Sequence, residues 1–237
     1  MNQDLTGTHL FDSRGEPLRV SRLVVASHAG DEVVGCGGLL AKHHEDGAVV
    51  VVAAPDHQRL ERLTTARHLL GSPAYTFLGL PDDRLADHLE PIVSALSTLI
   101  GQLRPAEVYL PYPAHHPDHL VAYEAGVRAT RRPGARDTAP VSVLVYDTRG
   151  ADVAEYPADV RWGVGESLRE EDVERLVAAA VVHRSPVAKD LAERARRVGS
   201  AHGLPWAEQF ALVRTPPGSR RAPAAPVQVP AMAGGDR

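Results

Sequence analysis

Short apolar runs alternate with longer stretches of helical periodicity along most of this chain. Leu23–Ala26, Ala48–Ala54, Ala74–Leu78, Glu107–Leu110 and Val141–Tyr146 each read as a strand bounded by polar or turn-forming residues. The Ala48–Ala54 run holds only alanine and valine, the pattern of a strand covered on both faces. Between the strands, helices are predicted from about Val33 to His44, Arg59 to Leu70, Leu85 to Leu103, and up to about Thr130. Gly71-Ser72-Pro73 stops the second and Pro105 follows the third. This β-α alternation predicts a Rossmann-like α/β fold, a mostly parallel sheet with right-handed crossovers and helices on both faces. After a polar link at 131–140 and the fifth strand, the segment 150–166 is irregular and holds Trp162. Helices over about Leu168–His183 and Pro186–His202 and a strand near Phe210–Arg214 complete the pattern. Residues 1–20 read as a polar extension along the sheet edge and 21–215 as one α/β domain. Residues 216–237, rich in Pro, Ala, Gly and Arg, lack a periodic apolar face and are expected to be disordered and dispensable.

Composition narrows the function classes. A length of 237 residues accommodates one domain with a substantial core, and 43% hydrophobic with 24% charged residues is a globular balance. The formal net charge of −4 gives no electrostatic case for nucleic acid or an anionic membrane surface. Cys36 is the single cysteine, which excludes an internal disulfide and fits a reducing compartment. The sequence shows neither a secretory leader nor a run long enough to span a membrane, so a cytoplasmic location is expected.

Two clusters carry the chemistry. His28-Ala29-Gly30-Asp31-Glu32 follows the first strand and His116-Pro117-Asp118-His119 follows the fourth. In a parallel sheet both loops lie at the same edge, where open α/β sheets bind their ligands. Two histidines and a carboxylate make the donor set of a catalytic zinc site. Read singly, each cluster is better taken as an ordinary set of loop residues and caps, with Ser27 or Asp31 capping the first helix and Asp118 the fourth; their pairing at equivalent strand ends favours a metal. Glycines 35, 37 and 38 fit neither the dinucleotide fingerprint nor a phosphate-binding loop and are read as close-packing positions. Cys36 among them reads as a small buried residue.

The stretch SHAGDEVVGCGGLLA resembles the zinc-binding signature of the PIG-L/LmbE-like de-N-acetylases, (A/P)-His-Pro-Asp-Asp-Glu-x-x-x-Gly-x-Gly-Gly. His116-Pro117-Asp118-His119 matches the family's His-x-Asp-His motif, and Gly79-Leu80-Pro81-Asp82 resembles its substrate loop. His183-Arg184-Ser185 and Trp206-Ala207-Glu208-Gln209-Phe210 are similar to its C-terminal H-x-S-Q and A-E-x-F patterns. The resemblance runs in order from Leu23 to Arg214. It implies a Rossmann-like fold and zinc-dependent hydrolysis of an acetamide, often on a glucosamine unit. By position it makes His28, Asp31 and His119 the zinc ligands. His116 becomes the histidine that polarises the carbonyl or protonates the departing amine, with Asp118 orienting it. Arg59 and Asp82 fall at substrate-contacting positions.

The departures from the pattern are equally specific. The family's general base, an aspartate, is replaced by Gly30, and its preceding proline by Ala29. Arg62 stands where an acidic residue is expected, and Pro186 replaces the glutamine of H-x-S-Q. Candidates for a substitute base are Asp56, His57, His115 or a group on the substrate. The sequence therefore supports a zinc-dependent deacetylase of an acetylated amino sugar or related small polar metabolite. Its alternative is a catalytically altered member that binds a small molecule in a binding or regulatory role; an altered lyase or transferase chemistry ranks third. No nucleic-acid or membrane partner is expected, and a homo-oligomer is compatible with the sequence. Restoring an aspartate at residue 30 is expected to raise hydrolysis by one to a few factors of ten if the backbone tolerates it, or to obstruct a bulkier substrate.

Overall fold

The computed structural model describes residues 10–11, 14–113, 116–131, 141–148 and 162–215. The C-terminal segment 216–237 and His115 lie outside the described residues. The chain forms β1 (Arg22–Ala26), α1 (Asp31–Lys42), β2 (Gly47–Ala53), α2 (His57–Leu69) and β3 (Ala74–Leu80). It continues through α3 (Leu89–Leu103), β4 (Glu107–Pro111), α4 (Pro117–Ala129) and β5 (Ser142–Tyr146). It ends with β6 (Val164–Ser167), α5 (Glu170–Val182), α6 (Leu191–Ala201) and β7 (Ala207–Arg214).

The seven strands form one sheet in the order β3-β2-β1-β4-β5-β7-β6. β3 through β5 are parallel, as the alternating pattern predicts, while β7 runs antiparallel to both β5 and β6. Alternate strand residues enter opposite faces. Val24, Ala26, Val49 and Val51 join Cys36, Leu39 and Leu176 under α1, α2 and α5. Leu23, Val25, Val50 and Val52 join Ile92, Leu96 and Val121 under α3 and α4. The two-sided burial explains why β2 carries no polar alternation. The chain leaves β1 toward β2 and later returns on β1's other side as β4, so the loops after β1 and β4 flank a topological switch point.

Several boundaries depart from the sequence pattern. β6, Val-Gly-Glu-Ser, falls in the segment whose sequence reads as irregular; it has a single large apolar residue and is held by pairing Val164 to Phe210 and Ser167 to Ala207. Short 3₁₀ turns, Leu85–His88 and Ala188–Asp190, precede α3 and α6, where the pattern predicts one continuous helix. The N-terminal extension is less polar in role than in composition. Leu10 and Val20 are buried, and Phe11 and Leu18 pack on the α3/α4 side.

Helix α1 approaches the sheet closely because its small residues leave room. A methyl on Gly35 would collide with the Tyr146 ring. That ring is fully buried and pinned by its hydroxyl donating to the Val25 carbonyl at 2.8 Å. Gly35→Ala should therefore destabilise the protein by about 1–3 kcal/mol or more through overpacking. Gly101 in α3 has open space around it, so Gly101→Ala should stabilise by up to about 1 kcal/mol through helix propensity. Denaturant titration of the two variants checks the contrast; equal effects would show that the close approach of α1 is not a constraint.

Candidate metal centre

At the end of β1 the chain turns through His28-Ala29-Gly30 and enters α1 at Asp31. Gly30 occupies the N-cap position with φ 110° and no side chain to cap, so neither Ser27 nor Asp31 takes the capping role read from the sequence. Positive φ here is a conformation side chains rarely adopt, and glycine meets it at no steric cost. Asp31 is freed to point at the crevice. Its Oδ2 accepts from the His28 backbone N–H at 2.9 Å and lies 3.6 Å from His28 Nδ1. The same oxygen lies 3.2 Å from His119 Nε2. Glu32 folds back so that its carboxylate accepts the Gly30 N–H at 2.9 Å and the Tyr75 hydroxyl at 3.3 Å. Burial pushes Glu32 up to about 7, against the pull of those donors.

At the end of β4 the N-cap of α4 is His116, whose Nδ1 accepts the Asp118 N–H at 3.2 Å, with Pro117 in the first turn. Asp118 is therefore not the cap. Its carboxylate, expected beside His116, lies instead on His28, with Oδ2 3.1 Å from His28 Nε2, while Oδ1 accepts the Leu85 N–H at 3.1 Å. His116 Nε2 is paired with Asp83 at 3.1 Å. Ser27 ties the two loops together by donating to the Asp118 carbonyl at 3.3 Å. The three rings converge, with His28 and His116 centroids 4.8 Å apart, His28 and His119 5.8 Å, and His116 and His119 5.6 Å.

The donor atoms of His28, Asp31 and His119 all lie within 4.8 Å of one another. A tetrahedral ion bound at about 2.0–2.2 Å needs donors roughly 3.3–3.6 Å apart, and the separations from Asp31 Oδ2, 3.2 Å to His119 Nε2 and 3.6 Å to His28 Nδ1, lie close to that range. With His28 Nδ1 turned to the cluster, the carboxylate of Asp118 on Nε2 fixes the tautomer, as carboxylates behind ligating histidines do. His28, Asp83, His116 and Asp118 form a second convergent group that shares His28. The electrostatics call for a cation. Burial opposes the charging of His28, yet Asp31, Asp118 and Asp82 override it and push it up to about 9. Burial also opposes the charge on Asp31, but His119 and His28 hold its carboxyl well below the usual range.

The two substrate-contacting positions reach the same crevice. Asp82 lies 3.0 Å from His28 Nε2 and 2.9 Å from the Arg59 guanidinium. Arg62, one turn further along α2, has its Nε enclosed without a hydrogen-bond partner among the described residues. Two candidate substitutes for the missing base lie elsewhere. Asp56 caps α2 by accepting the Arg59 N–H at 2.7 Å, and the His57 side chain is 84% exposed. Two neighbours of the site are not singled out by the sequence pattern. Asp83 reads there only as part of a loop, although its position directly after Asp82 and before the 3₁₀ turn is visible. His183 reads only as part of a motif, yet its ring stands against Gly30. Burial holds His183 below the ordinary histidine value, and the Arg62 and Arg59 charges add to that. No sequence signal announces a contact between residues so far apart.

No family model and no curated protein sequence matches the chain. Solved structures do. A conserved protein from Thermus thermophilus superposes with a TM-score of 0.66 at 24% identity, over 85% of this chain and 99% of that one. N,N′-diacetylchitobiose deacetylase from Pyrococcus horikoshii, complexed with an inhibitor, gives 0.62 at 18% identity, over 81% of this chain and 82% of that one. A triple mutant of a deacetylase from the teicoplanin biosynthetic pathway gives 0.65 at 17% identity, over 84% of this chain and 100% of that one. The chain shares the α/β fold of these solved deacetylase structures.

Proposed function

We propose that the protein is a zinc-dependent amide hydrolase that deacetylates an acetylated amino sugar or a related small polar metabolite. The observation that carries this reading is the meeting of His28, Asp31 and His119, from two loops, within ligand distance at the switch point. Bound there, zinc supplies Lewis-acid polarisation of the acyl oxygen and a water of pKa near 7. The remaining work falls to the chain. Asp118 orients His28, and the Leu85 N–H orients Asp118 in turn. His116, held by Asp83, is placed to give a proton to the departing nitrogen. Arg59 and Asp82 offer a guanidinium and a carboxylate to substrate hydroxyls beside the reacting group. The family motifs and the deacetylase neighbours favour the same reading. The second reading, a binding protein, draws on one observation, that residue 30 lacks the carboxylate which serves as base in the resembling family. Among the described residues no helix is long and apolar enough to cross a membrane.

Protein loaded with zinc should hold near-equimolar metal and melt at a higher temperature than the metal-free form. His119→Ala should lose most of the metal, and Asp118→Asn should bind it about 10–100-fold more weakly. Zinc-loaded protein should release amine from at least one acetylated amino sugar. Full metal retention by His119→Ala would remove the ligand assignment, and no amine from any such substrate at full zinc occupancy would leave the binding-protein reading.

The geometry at Gly30 reverses the expectation that an added aspartate restores a faster enzyme. With φ at 110° and a Cβ only 2.6 Å from the His183 ring, a side chain there is both strained and obstructed. Gly30→Ala and Gly30→Asp should each cost about 1–3 kcal/mol of stability, and Gly30→Asp should not exceed the wild-type rate. A Gly30→Asp protein that is fully stable and tenfold faster would show that the loop relaxes freely.

A further inference from the structure

Residue 30 has no side chain, but the space a side chain would fill is occupied. A Cβ on Gly30 would lie 2.6 Å from Cε1, 2.8 Å from Nδ1 and 3.1 Å from Nε2 of His183. The edge of the ring that carries both nitrogens is thus laid against the turn between His28 and Asp31. The fold fixes it there. His183 closes α5, its N–H bonding to the Ala179 carbonyl at 2.9 Å, and Arg184 at φ 59° turns the chain away. Helix α5 packs on α1 through Leu176, Ala179 and Ala180, so the end of α5 and the start of α1 hold a set separation. His183 Nε2 is enclosed without a hydrogen-bond partner among the described residues. A buried nitrogen left unmatched is costly unless something arrives to use it. Of the other candidates for the acceptor, Asp56 is committed to capping α2 and the His57 side chain stands 84% exposed.

We propose that His183 is the proton acceptor for the attacking water, supplied from α5 in place of the side chain that residue 30 lacks. The proposal rests on the hydrolase reading above. In the reaction, a His183 ring nitrogen takes one proton from water as the water oxygen bonds to the acyl carbon. The C–N bond then breaks as His116 gives a proton to the leaving nitrogen. The carboxylic acid formed ionises, its proton completes the ammonium product, and the proton on His183 is returned to His116. The sum is one amide and one water converted to one carboxylate and one ammonium. Gly30 is the steric counterpart of His183, since any side chain at 30 and the ring as placed exclude one another.

The test uses zinc-loaded full-length wild type, His183→Ala and His183→Gln on an acetylated amino sugar that the wild type hydrolyses. Removal of the acceptor should lower kcat by about 10²–10⁴-fold, with KM and zinc content within about twofold of wild type and an unchanged melting temperature. Free imidazole should restore at least tenfold to His183→Ala and nothing to His183→Gln, because only the smaller residue leaves room for the ring. A readout independent of turnover is ¹⁵N NMR of histidine-labelled protein during zinc titration. The His183 ring signals should move when zinc binds, without the large shift of a ligating nitrogen, and should move again in Gly30→Ala. The proposal is overturned if His183→Ala keeps kcat within threefold, or loses kcat without imidazole rescue. It is equally overturned if the His183 signals ignore zinc. If the wild type itself hydrolyses nothing at full zinc occupancy, the hydrolase reading fails and this proposal fails with it; an active wild type with an indifferent His183 refutes His183 alone.

Discussion

Three carboxylates gather around one imidazole, and the rest of the site follows from how that charge is balanced. Asp31, Asp82 and Asp118 all approach His28 within hydrogen-bonding or ion-pair distance, and Asp118 and Asp31 are largely withdrawn from water. In a weakly screened interior such a set repels itself unless a cation sits among it. A proton on His28 meets the requirement in part, and the donor set of His28, Asp31 and His119 could hold a metal ion that meets the rest. Ionised carboxylates with nitrogen donors beside them are the composition of a zinc site. The Leu85 N–H on Asp118 Oδ1 fits the same picture, since it turns the other carboxylate oxygen toward His28.

That balance is possible only because the fold delivers two loops to one point. β1 and β4 are neighbours although β2 and β3 intervene in sequence. The close fit of α1 over the sheet supports the delivery. Its mid-helix N–H groups at Gly38 and Leu39 are met at 2.7 Å by the buried Glu208 carboxylate from β7, which burial pushes up to about 7. Thus the antiparallel edge of the sheet holds the helix whose first residue is Asp31. The acidic residue of the C-terminal motif has a structural role here.

The parts legible in the sequence are those set by local pattern. Continuous valine runs disclose buried parallel strands, and a histidine–carboxylate pair after β1 and another after β4 point to the crevice where the two clusters converge. What stays hidden depends on partners distant in sequence. β6 lacks alternation and exists by pairing with β7. Asp118 reads as a partner for its near neighbour His116, but α4 turns its carboxylate toward His28. The arrangement of Gly30 and His183 combines a backbone angle with the end of a helix some 150 positions later, and neither residue carries that information alone. Gly30 reads as a loss in the sequence; in the structure the space a side chain there would fill is taken by the His183 ring.

The central claim is that His28, Asp31 and His119 form the metal site. The direct measurement is diffraction from zinc-loaded crystals at the zinc absorption edge, which places the ion by its anomalous signal. The account predicts one zinc among those three residues, with nitrogen ligands at about 2.0–2.1 Å and a carboxylate oxygen at about 2.0–2.2 Å. An ion seated instead among His28, Asp83, His116 and Asp118, or no anomalous peak in the crevice at saturating zinc, would contradict it.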